Sequence, residues 1–368
     1  MENDSTTLDL PIIDLRSILN HDQDFEGKKD FSHEVLVEAK NAFEALSRYG
    51  ILIVRDPRAS EVDNDQFLNL MEQYFGQSDI SEKDKDVRSD VYFQVGRTPS
   101  HTELPRNHCE RVKTLDDKPL SLCPPELDPK ERFMWRIGPT PPTTQFPQLN
   151  AAPVVPSAFK DIWKTTMDTW GTKLLDAAIS IAELIAIAAK LPDRSTLSTK
   201  MRYGPHLLAP TGSDLSTYGA IGTVLAGYHY DLNALTVHGK SRFPGLYIWT
   251  RDGKRKIVKI PNGCLLVQAG KQLEHITAGT ILAGFHEVVV TEQTSDVISI
   301  AKQNGKSLWR ISSTLFAHFA SDESLAPLEA FGTMESRAKF ENIKVGDHVN
   351  AELAAINLGE GSSKRGAL

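Results

Sequence analysis

Residues 227–231 read Gly-Tyr-His-Tyr-Asp, and residues 283–289 read Ala-Gly-Phe-His-Glu-Val-Val. Side chains two residues apart on a β-strand point to the same face, so His229 and Asp231 can face one ion. His286 opens a second β-rich run later in the same part of the chain. Two imidazoles and one carboxylate leave adjacent metal positions open, which suits non-haem Fe(II) oxygen chemistry. We therefore predict that these three residues are metal ligands.

The segment around these motifs reads as all-β. Between Lys200 and Ala320, short β-rich runs alternate with Gly, Pro, Asn and Asp, which is typical of a sandwich or barrel. The clearest runs are 235–237, 246–249, 257–260, 264–267, 287–290 and 310–319.

Arg310 and Ser312 stand at strand spacing in the last of these runs. A guanidinium and a hydroxyl on one face supply a forked charged donor and a neutral donor, the pair that a buried carboxylate needs. Each motif alone is often accidental. The order H-x-D, later His, later R-x-S within one β-rich segment indicates a metal and carboxylate site.

In these motifs the chain resembles the Fe(II)/2-oxoglutarate-dependent dioxygenases of the isopenicillin N synthase-like, plant-type group. The resemblance also rests on the following residues: Pro11 to Leu15, Ala42 to Leu52, Leu235, Thr236, Gly245, Leu246, Pro261, Gly263, Gly270, Leu273 and Gly279. It implies a mainly β fold with helical extensions and a double-stranded β-helix (jelly-roll) core.

The resemblance also implies the chemistry of the site. Fe(II) would be held by His229, Asp231 and His286, and the distal carboxylate of 2-oxoglutarate by Arg310 and Ser312, with Tyr203 as a further 2-oxoglutarate contact. The expected reaction uses O2, releases succinate and CO2, and activates a C–H bond of a small metabolite by hydroxylation, desaturation or oxidative cyclisation. Stimulation by ascorbate is expected as well.

Two other functions remain open at this point. One is an Fe(II) oxidase of the same fold that uses no 2-oxoglutarate, in which Arg310 and Ser312 would hold a substrate carboxylate. The other is a non-catalytic metal-binding sensor.

Several positions depart from the family pattern. Lys271 stands where members commonly carry Asp, Glu287 stands where Arg usually follows the third ligand, and residues 201–203 replace an Asn-rich strand. The substrate candidates are therefore specific to this sequence, and they are Arg202, His206, Tyr228 and Lys271. The basic ones among them, Arg202 and Lys271 above all, predict a carboxylated or amino-acid-like substrate. His238, His275, His101 and His108 have no partner at metal-ligand spacing, and we expect no functional role for them.

Along the chain we predict four parts: a helical and loop region over 1–155 that wraps the core, a long support helix in 156–195, the jelly-roll core over 196–322 and a helical extension over 323–368. Residues 10–15 predict an edge strand followed by a polar loop to Lys29, 33–48 a helix and 51–54 a buried strand. Residues 77–155 are Pro-rich and predict long loops. Gly171 is a candidate break in the support helix, and the long gap between His286 and Arg310 predicts an extended hairpin around 294–306.

Composition narrows the class of partner. The 368 residues carry a net charge of -7 and no long basic run, which argues against nucleic acid or an anionic membrane. No apolar segment reaches the about 20 residues that a membrane span needs, and no secretory signal is visible. Cys109, Cys123 and Cys264 form no C-x-x-C pair. We read them as unpaired and predict a cytoplasmic monomer in a reducing compartment.

Overall fold

The computed structural model describes residues 7–23 and 31–359. The strands are β1 (Ile12–Asp14), β2 (Ile51–Arg55), β3 (Gly96–Thr98), β4 (Glu131–Ile137), β5 (His206–Leu208), β6 (Thr211–Asp214), β7 (Val224–Tyr230), β8 (Leu235–His238), β9 (Leu246–Trp249), β10 (Arg255–Ile257), β11 (Leu265–Ala269), β12 (Phe285–Val289), β13 (Trp309–Ser312) and β14 (Thr314–Ala317). The helices are α1 (Arg16–Gln23), α2 (His33–Tyr49), α3 (Glu61–Phe75), α4 (Ile80–Asp84), α5 (Cys109–Lys113), α6 (Trp163–Ala188), α7 (Thr196–Met201), α8 (Leu215–Tyr218), α9 (Lys271–Ile276), α10 (Glu292–Gln303), α11 (Met334–Arg337) and α12 (Val345–Ala355).

Two sheets form the core of the molecule. The larger has the order β1-β2-β11-β8-β14-β5-β4-β6-β13, with β3 also paired to β4, and the smaller has the order β10-β9-β12-β7. Residues of both sheets line one internal cavity, and α6 packs against strands of the larger sheet. This arrangement confirms the predicted double-stranded β-helix core with helical extensions.

The N-terminal elements follow the sequence pattern closely. The Ser32 hydroxyl caps α2 by accepting a hydrogen bond from the Val35 amide, and Gly50 ends the helix with a φ of 71°, a conformation that glycine adopts without strain. The chain then enters β2, beside which β1 lies parallel as the edge strand. The predicted loop after β1 was wrong for residues 16–23, which form α1, while residues 24–30 lie outside the described part.

The predicted support helix is α6, and Gly171 does not break it. A Cβ atom at Gly171 would lie only 2.4 Å from Cδ1 of Ile137. The glycine therefore lets α6 approach β4 closely, and the prediction of a break was wrong because the residue serves packing between the helix and the sheet.

The prediction of loops over residues 77–155 was also wrong in part, because β3 and β4 lie there and belong to the larger sheet. Phe133, Trp135 and Ile137 of β4 are buried in the main hydrophobic core. Arg132 and Met134, on the alternate positions, line internal cavities instead. Charged residues stand between the apolar positions of β4, and the surrounding sequence is rich in proline, so the pattern did not indicate a strand.

The segment between the third predicted ligand and Arg310 contains a helix instead of the predicted hairpin. Thr291 and Thr294 form a reciprocal capping box at the start of α10. The helix then buries Ile298 and Ala301 against the smaller apolar cluster that also contains Leu215. The segment forms a helix and not a hairpin because it has a capping box at its start and apolar residues along one helical face.

The cysteines require a further correction. Cys109 and Cys123 form a disulfide, with Cα atoms 5.5 Å apart, while Cys264 is free and buried. The spacing alone did not reveal that residues 109–123 fold back on themselves. Within residues 7–23 and 31–359, no helix has the length and apolar character that crossing a bilayer requires. The division into four parts stays a prediction, and its last residues, 360–368, lie outside the described chain.

Candidate metal and 2-oxoglutarate site

Two neighbouring strands of the smaller sheet bring the predicted ligands together. In the antiparallel pairing of β7 and β12, His286 lies directly opposite His229, and their ring centroids are 4.2 Å apart. Asp231 follows β7 immediately, and its Oδ1 lies 3.8 Å from Nε2 of His229 and 3.9 Å from Nε2 of His286. One ligand atom from each residue lies within 4.8 Å of the other two.

Hydrogen bonds orient two of the three side chains. Nδ1 of His229 lies 2.6 Å from the Gly227 carbonyl, so this nitrogen carries the proton and Nε2 keeps its lone pair. The Thr236 hydroxyl donates to Oδ2 of Asp231 at 2.6 Å, which leaves Oδ1 for a metal. Both arrangements are those expected of metal ligands supported by outer hydrogen bonds.

Burial and the neighbouring side chains together favour the ligand forms of His229 and Asp231. Burial, reinforced by the nearby His286, lowers the pKa of His229, so its ring stays neutral. Burial opposes ionisation of Asp231, but His286 and His229 outweigh it and lower the pKa of that carboxyl. Two atoms bound to one ion at about 2.1 Å can be at most about 4.2 Å apart, so the two aspartate–histidine distances fit a divalent metal. Two imidazoles with one carboxylate form the donor set that suits Fe(II).

Arg310 lies in the same cavity, which has a volume of about 440 Å³ and is lined by all three predicted ligands. Its side chain is 7% exposed, and its Nε makes only a long contact of 3.4 Å with the Pro244 carbonyl. Burial lowers the pKa of Arg310 to about 10, so the guanidinium remains charged at neutral pH. Within the described part of the chain, no carboxylate pairs with it.

The strand opposite Arg310 supplies two hydroxyls that the sequence reading missed. In the pairing of β13 with β6, Arg310 faces Ser213 and Ser312 faces Thr211, and all four line the cavity. The Ser213 side chain is buried, and its hydroxyl has no hydrogen-bond partner among the residues that the structure describes. The signal was present in the sequence, because Thr211 and Ser213 repeat the period-two spacing of Arg310 and Ser312.

His238, for which the sequence predicted no role, also lines the cavity. Its Nε2 lies 2.7 Å from Oε1 of Gln268, and its Nδ1 lies 3.0 Å from the Thr314 hydroxyl. Burial lowers the pKa of His238 to about 4, so the ring is neutral near pH 7. Its ring centroid lies 6.5 Å from that of His286. His238 therefore packs beside the predicted ligands as a hydrogen-bonded wall residue.

Tyr203 and Arg202 do not reach the cavity. The expected strand over 201–203 is the end of α7 and a turn, and β5 begins only at His206. Arg202 is exposed, and its guanidinium lies 5.3 Å from the centre of the Tyr203 ring. The prediction that Arg202 and Tyr203 contact ligands in the cavity was wrong, because the end of a helix on the surface takes the place of the expected strand.

The other three substrate candidates also lie elsewhere. His206 is buried in the sheet, where Nε2 contacts the Met201 carbonyl at 2.9 Å and Nδ1 accepts from the His318 amide at 3.1 Å. Tyr228 alternates with His229 along β7 and therefore points away from it, and its hydroxyl accepts from Nε of Arg111 at 3.1 Å. Lys271 pairs with Glu274 on α9. None of the three lines the cavity.

Glu287, the unexpected residue after the third predicted ligand, is fully buried on the side of β12 opposite to the metal face. Its carboxylate accepts hydrogen bonds from the amides of Leu120 and Ser121, at 3.1 and 2.7 Å, and from the Ser121 hydroxyl. The Ser121 hydroxyl in turn accepts from the Tyr228 amide at 2.7 Å. Glu287 thus anchors the disulfide-bonded segment 109–123 to both strands that carry the predicted ligands.

A second, smaller chamber of about 70 Å³ lies on another side of His229 and Asp231. Its polar wall contains a buried ionic network in which Lys130 pairs with Glu103 at 2.9 Å and with Asp128 at 2.7 Å, and Arg132 pairs with Glu103 at 2.9 Å.

The two carboxyls of this network respond differently to burial. Burial opposes ionisation of Glu103, but Arg132 and Lys130 bring its pKa to about 2. Burial raises the pKa of Asp128, whose Oδ1 accepts a hydrogen bond from the Gly227 amide at 3.0 Å. That bond ties the network to β7 two residues before His229.

Comparisons with known proteins agree with this geometry. The family model described as the 2OG-Fe(II) oxygenase superfamily matches residues 196–319. No curated protein matches the sequence. A solved protein of Caulobacter crescentus assigned to the 2OG-Fe(II) oxygenase family has 20% identity and a TM-score of 0.70, over 95% of this chain and 99% of that one.

Two further solved structures are similar in fold. T7H of Neurospora crassa, in complex with alpha-KG and thymine, has 18% identity and a TM-score of 0.70, over 96% of this chain and 98% of that one. JOX2, in complex with 2OG, Fe and JA, has 14% identity and a TM-score of 0.62, over 94% and 86%. These likenesses show the fold, and the family match identifies residues 196–319 as a domain of the superfamily.

Proposed function

We propose that this chain, a 2-oxoglutarate-dependent Fe(II) oxygenase by its domain, couples 2-oxoglutarate and O2 to the activation of a C–H bond in a small metabolite, with release of succinate and CO2. Hydroxylation, desaturation and oxidative cyclisation are the outcomes open to it. Within the superfamily we place it in the isopenicillin N synthase-like, plant-type group, as the motifs over residues 11–15, 42–52 and 229–286 suggest.

The observation that carries the proposal is the buried, unpaired Arg310 in the cavity that the three predicted ligands line. A buried charge without a partner costs several kcal/mol, so a site that keeps one is built for an ion of opposite charge. Ser213 lies opposite Arg310 in the strand pairing and Ser312 two residues after it, and both line the cavity as neutral donors. A carboxylate reaching toward Arg310 from the metal site matches the dicarboxylate 2-oxoglutarate.

The residues have separate tasks in this proposal. His229, Asp231 and His286 hold the metal, which supplies the oxygen chemistry when bound. Gly227 and Thr236 hold two of the ligands in their binding orientation. Arg310 and Ser312 bind and orient the cosubstrate. Stimulation by ascorbate follows if the metal has to be kept ferrous.

The substrate is proposed as a small molecule, as in the solved T7H and JOX2 complexes with thymine and JA. The expectation of a carboxylated or amino-acid-like substrate depended on Arg202 and Lys271, and neither side chain lines the cavity. That expectation has therefore lost its structural support.

Anaerobic addition of Fe(II) and 2-oxoglutarate tests the proposal. We expect a visible metal-to-ligand charge-transfer band in the wild type, its loss in His229→Ala, and a band in Arg310→Ala only at much higher 2-oxoglutarate concentration. Arg202→Ala, which removes an exposed arginine outside the cavity, is the matched control and should behave as wild type.

The same titration separates the other functions. Bound iron without a band would contradict 2-oxoglutarate use and favour an oxidase that binds its substrate carboxylate at Arg310. A band without succinate formation under O2, with every substrate offered, would favour a sensor.

A further inference from the structure

Within the described residues, each cation that lines the 70 Å³ chamber beside His229 and Asp231 is paired with a carboxylate. Its wall carries three cations, which are Arg106, Lys130 and Arg132. Lys130 and Arg132 are held by the buried Glu103 and Asp128.

The third cation is paired as well. Arg106 lies 2.7 Å from Oε1 of Glu352, a residue of α12. The Tyr230 hydroxyl donates to the same carboxylate at 3.2 Å. The three cations of the chamber are therefore paired with Glu103, Asp128 and Glu352, and the fourth carboxylate of the wall, Asp231, is a predicted metal ligand. The larger cavity differs, because Arg310 has no carboxylate partner within the described part of the chain.

The rest of the chamber is mostly apolar. Side chains from distant segments of the chain contribute to it, and the apolar ones include Met134, Leu207, Phe316, Leu353 and Ile356. An ionised ligand placed here would lose its hydration without gaining an unpaired partner of opposite charge. A neutral ligand can accept or donate hydrogen bonds at the edges of the ionic network and bury its apolar part against these side chains.

We infer that this chamber is the substrate subsite and that it selects a compact, uncharged molecule with a few hydrogen-bonding groups, through the balanced network of Glu103, Asp128, Lys130 and Arg132. The inference rests on the proposed function, since the chamber adjoins two of the predicted metal ligands while Arg310 lies in the other cavity. In this inference the protein binds a carboxylate at Arg310, where the cosubstrate lies, and an uncharged molecule in the chamber.

Matched pairs of small ligands that differ only in charge test the inference. Uracil-5-carboxamide with uracil-5-carboxylate, and small aromatic amides with the corresponding acids, are added to the complex with Fe(II) and 2-oxoglutarate under anaerobic conditions. Binding is measured by thermal stabilisation and by perturbation of the charge-transfer band. We expect neutral members to bind and their acids to bind at least about tenfold more weakly.

Two variants, each with a control variant, test whether the preference for neutral ligands arises in the chamber. Glu103→Gln leaves Arg132 and Lys130 with one carboxylate fewer and should shift the preference about tenfold or more toward the acids. Glu126→Gln, at an exposed position outside the chamber, should leave it unchanged. Ile356→Trp, just after α12, should fill the chamber and abolish binding of the neutral probes. Ala355→Trp, at the exposed last position of α12, should not.

The outcomes separate the two proposals. A charge-transfer band with 2-oxoglutarate alone supports the proposed function. With that band present, the inference is overturned by preferential binding of acids, by no binding of any neutral probe, or by binding that Ile356→Trp does not affect. Absence of the band contradicts the proposed function, and thermal stabilisation then still reports the charge preference of the chamber.

Discussion

The hydroxyl of Thr236, on β8 in the larger sheet, donates a 2.6 Å hydrogen bond to Oδ2 of Asp231, which follows β7 in the smaller sheet. Thr236 is fully buried, and its hydroxyl also contacts Oδ1 of Asn233 at 3.3 Å. The bond joins the two sheets at the predicted metal site and determines which oxygen of Asp231 is free. Removing this hydrogen bond should therefore lower metal affinity more than it lowers the stability of the fold.

We predict that Thr236→Val weakens Fe(II) affinity about 10- to 100-fold, the usual effect of losing a hydrogen bond that orients a metal ligand. Titration with Fe(II), or with Co(II) as a spectroscopic probe, measures the change. Thr277→Val removes another buried hydroxyl, which bonds to the Leu273 carbonyl in α9, and should leave metal affinity unchanged. Equal affinities in the two variants would contradict an orienting role for Thr236.

Ser213→Ala should weaken 2-oxoglutarate binding about 5- to 10-fold, because one hydrogen bond contributes about 1 to 1.5 kcal/mol. The Ser213 hydroxyl faces the cavity opposite Arg310 and has no partner in the described chain, so the apo fold should lose little stability. The apparent dissociation constant from the charge-transfer titration is the readout. Ser299→Ala, on the exposed face of α10, is the control, and a Ser213 variant indistinguishable from it would argue against the contact.

Gly171→Ala should destabilise the protein by about 1 to 3 kcal/mol, because the added Cβ would overpack against Ile137. Alanine favours helix over glycine by about 1 kcal/mol, so the sign of the change distinguishes packing from propensity. Urea denaturation measures it. Thr172→Ala, exposed on the next position of α6, should be nearly neutral, and Ile137→Val in the Gly171→Ala background should recover part of the loss.

The free energy of unfolding should fall with decreasing pH, in part because of His206. Burial, together with the charge of Arg136, lowers the pKa of His206 to about 3. Below its ordinary value of 6.5 the unfolded chain takes up a proton that the folded chain does not, which costs up to about 1.4 kcal/mol per pH unit for this group. The stabilising effect of the neutral ring is thus complete above about pH 6.5 and is lost as the pH falls toward about 3.

Urea denaturation of His206→Gln at several pH values checks this. The variant should show a flatter pH dependence by up to one proton in the acid range, even if it is less stable at neutral pH. His33→Gln, at an exposed helix position, should keep the slope of the wild type. An unchanged slope in His206→Gln would contradict the assignment.

Local periodicity determined the parts of the site that lie on single strands. His229 with Asp231, and Arg310 with Ser312, could be predicted to share a face because strand side chains alternate with period two regardless of the rest of the fold. The same regularity, with capping at Ser32 and Gly50, determined α2 and β2. The density of such strands between residues 200 and 320 indicated a sandwich or barrel, and the double-stranded β-helix core was what the family resemblance implied.

Only the tertiary structure decided which strands lie beside one another. The pairing of β13 with β6 brought Ser213 and Thr211 to Arg310, and β4 brought Lys130 and Arg132 to the wall near His229. Arg202 and Tyr203 were excluded because α7 ends where a strand was expected. Such contacts join residues far apart in sequence, and they depend on the burial of whole elements such as β4 against α6, which no local pattern contains.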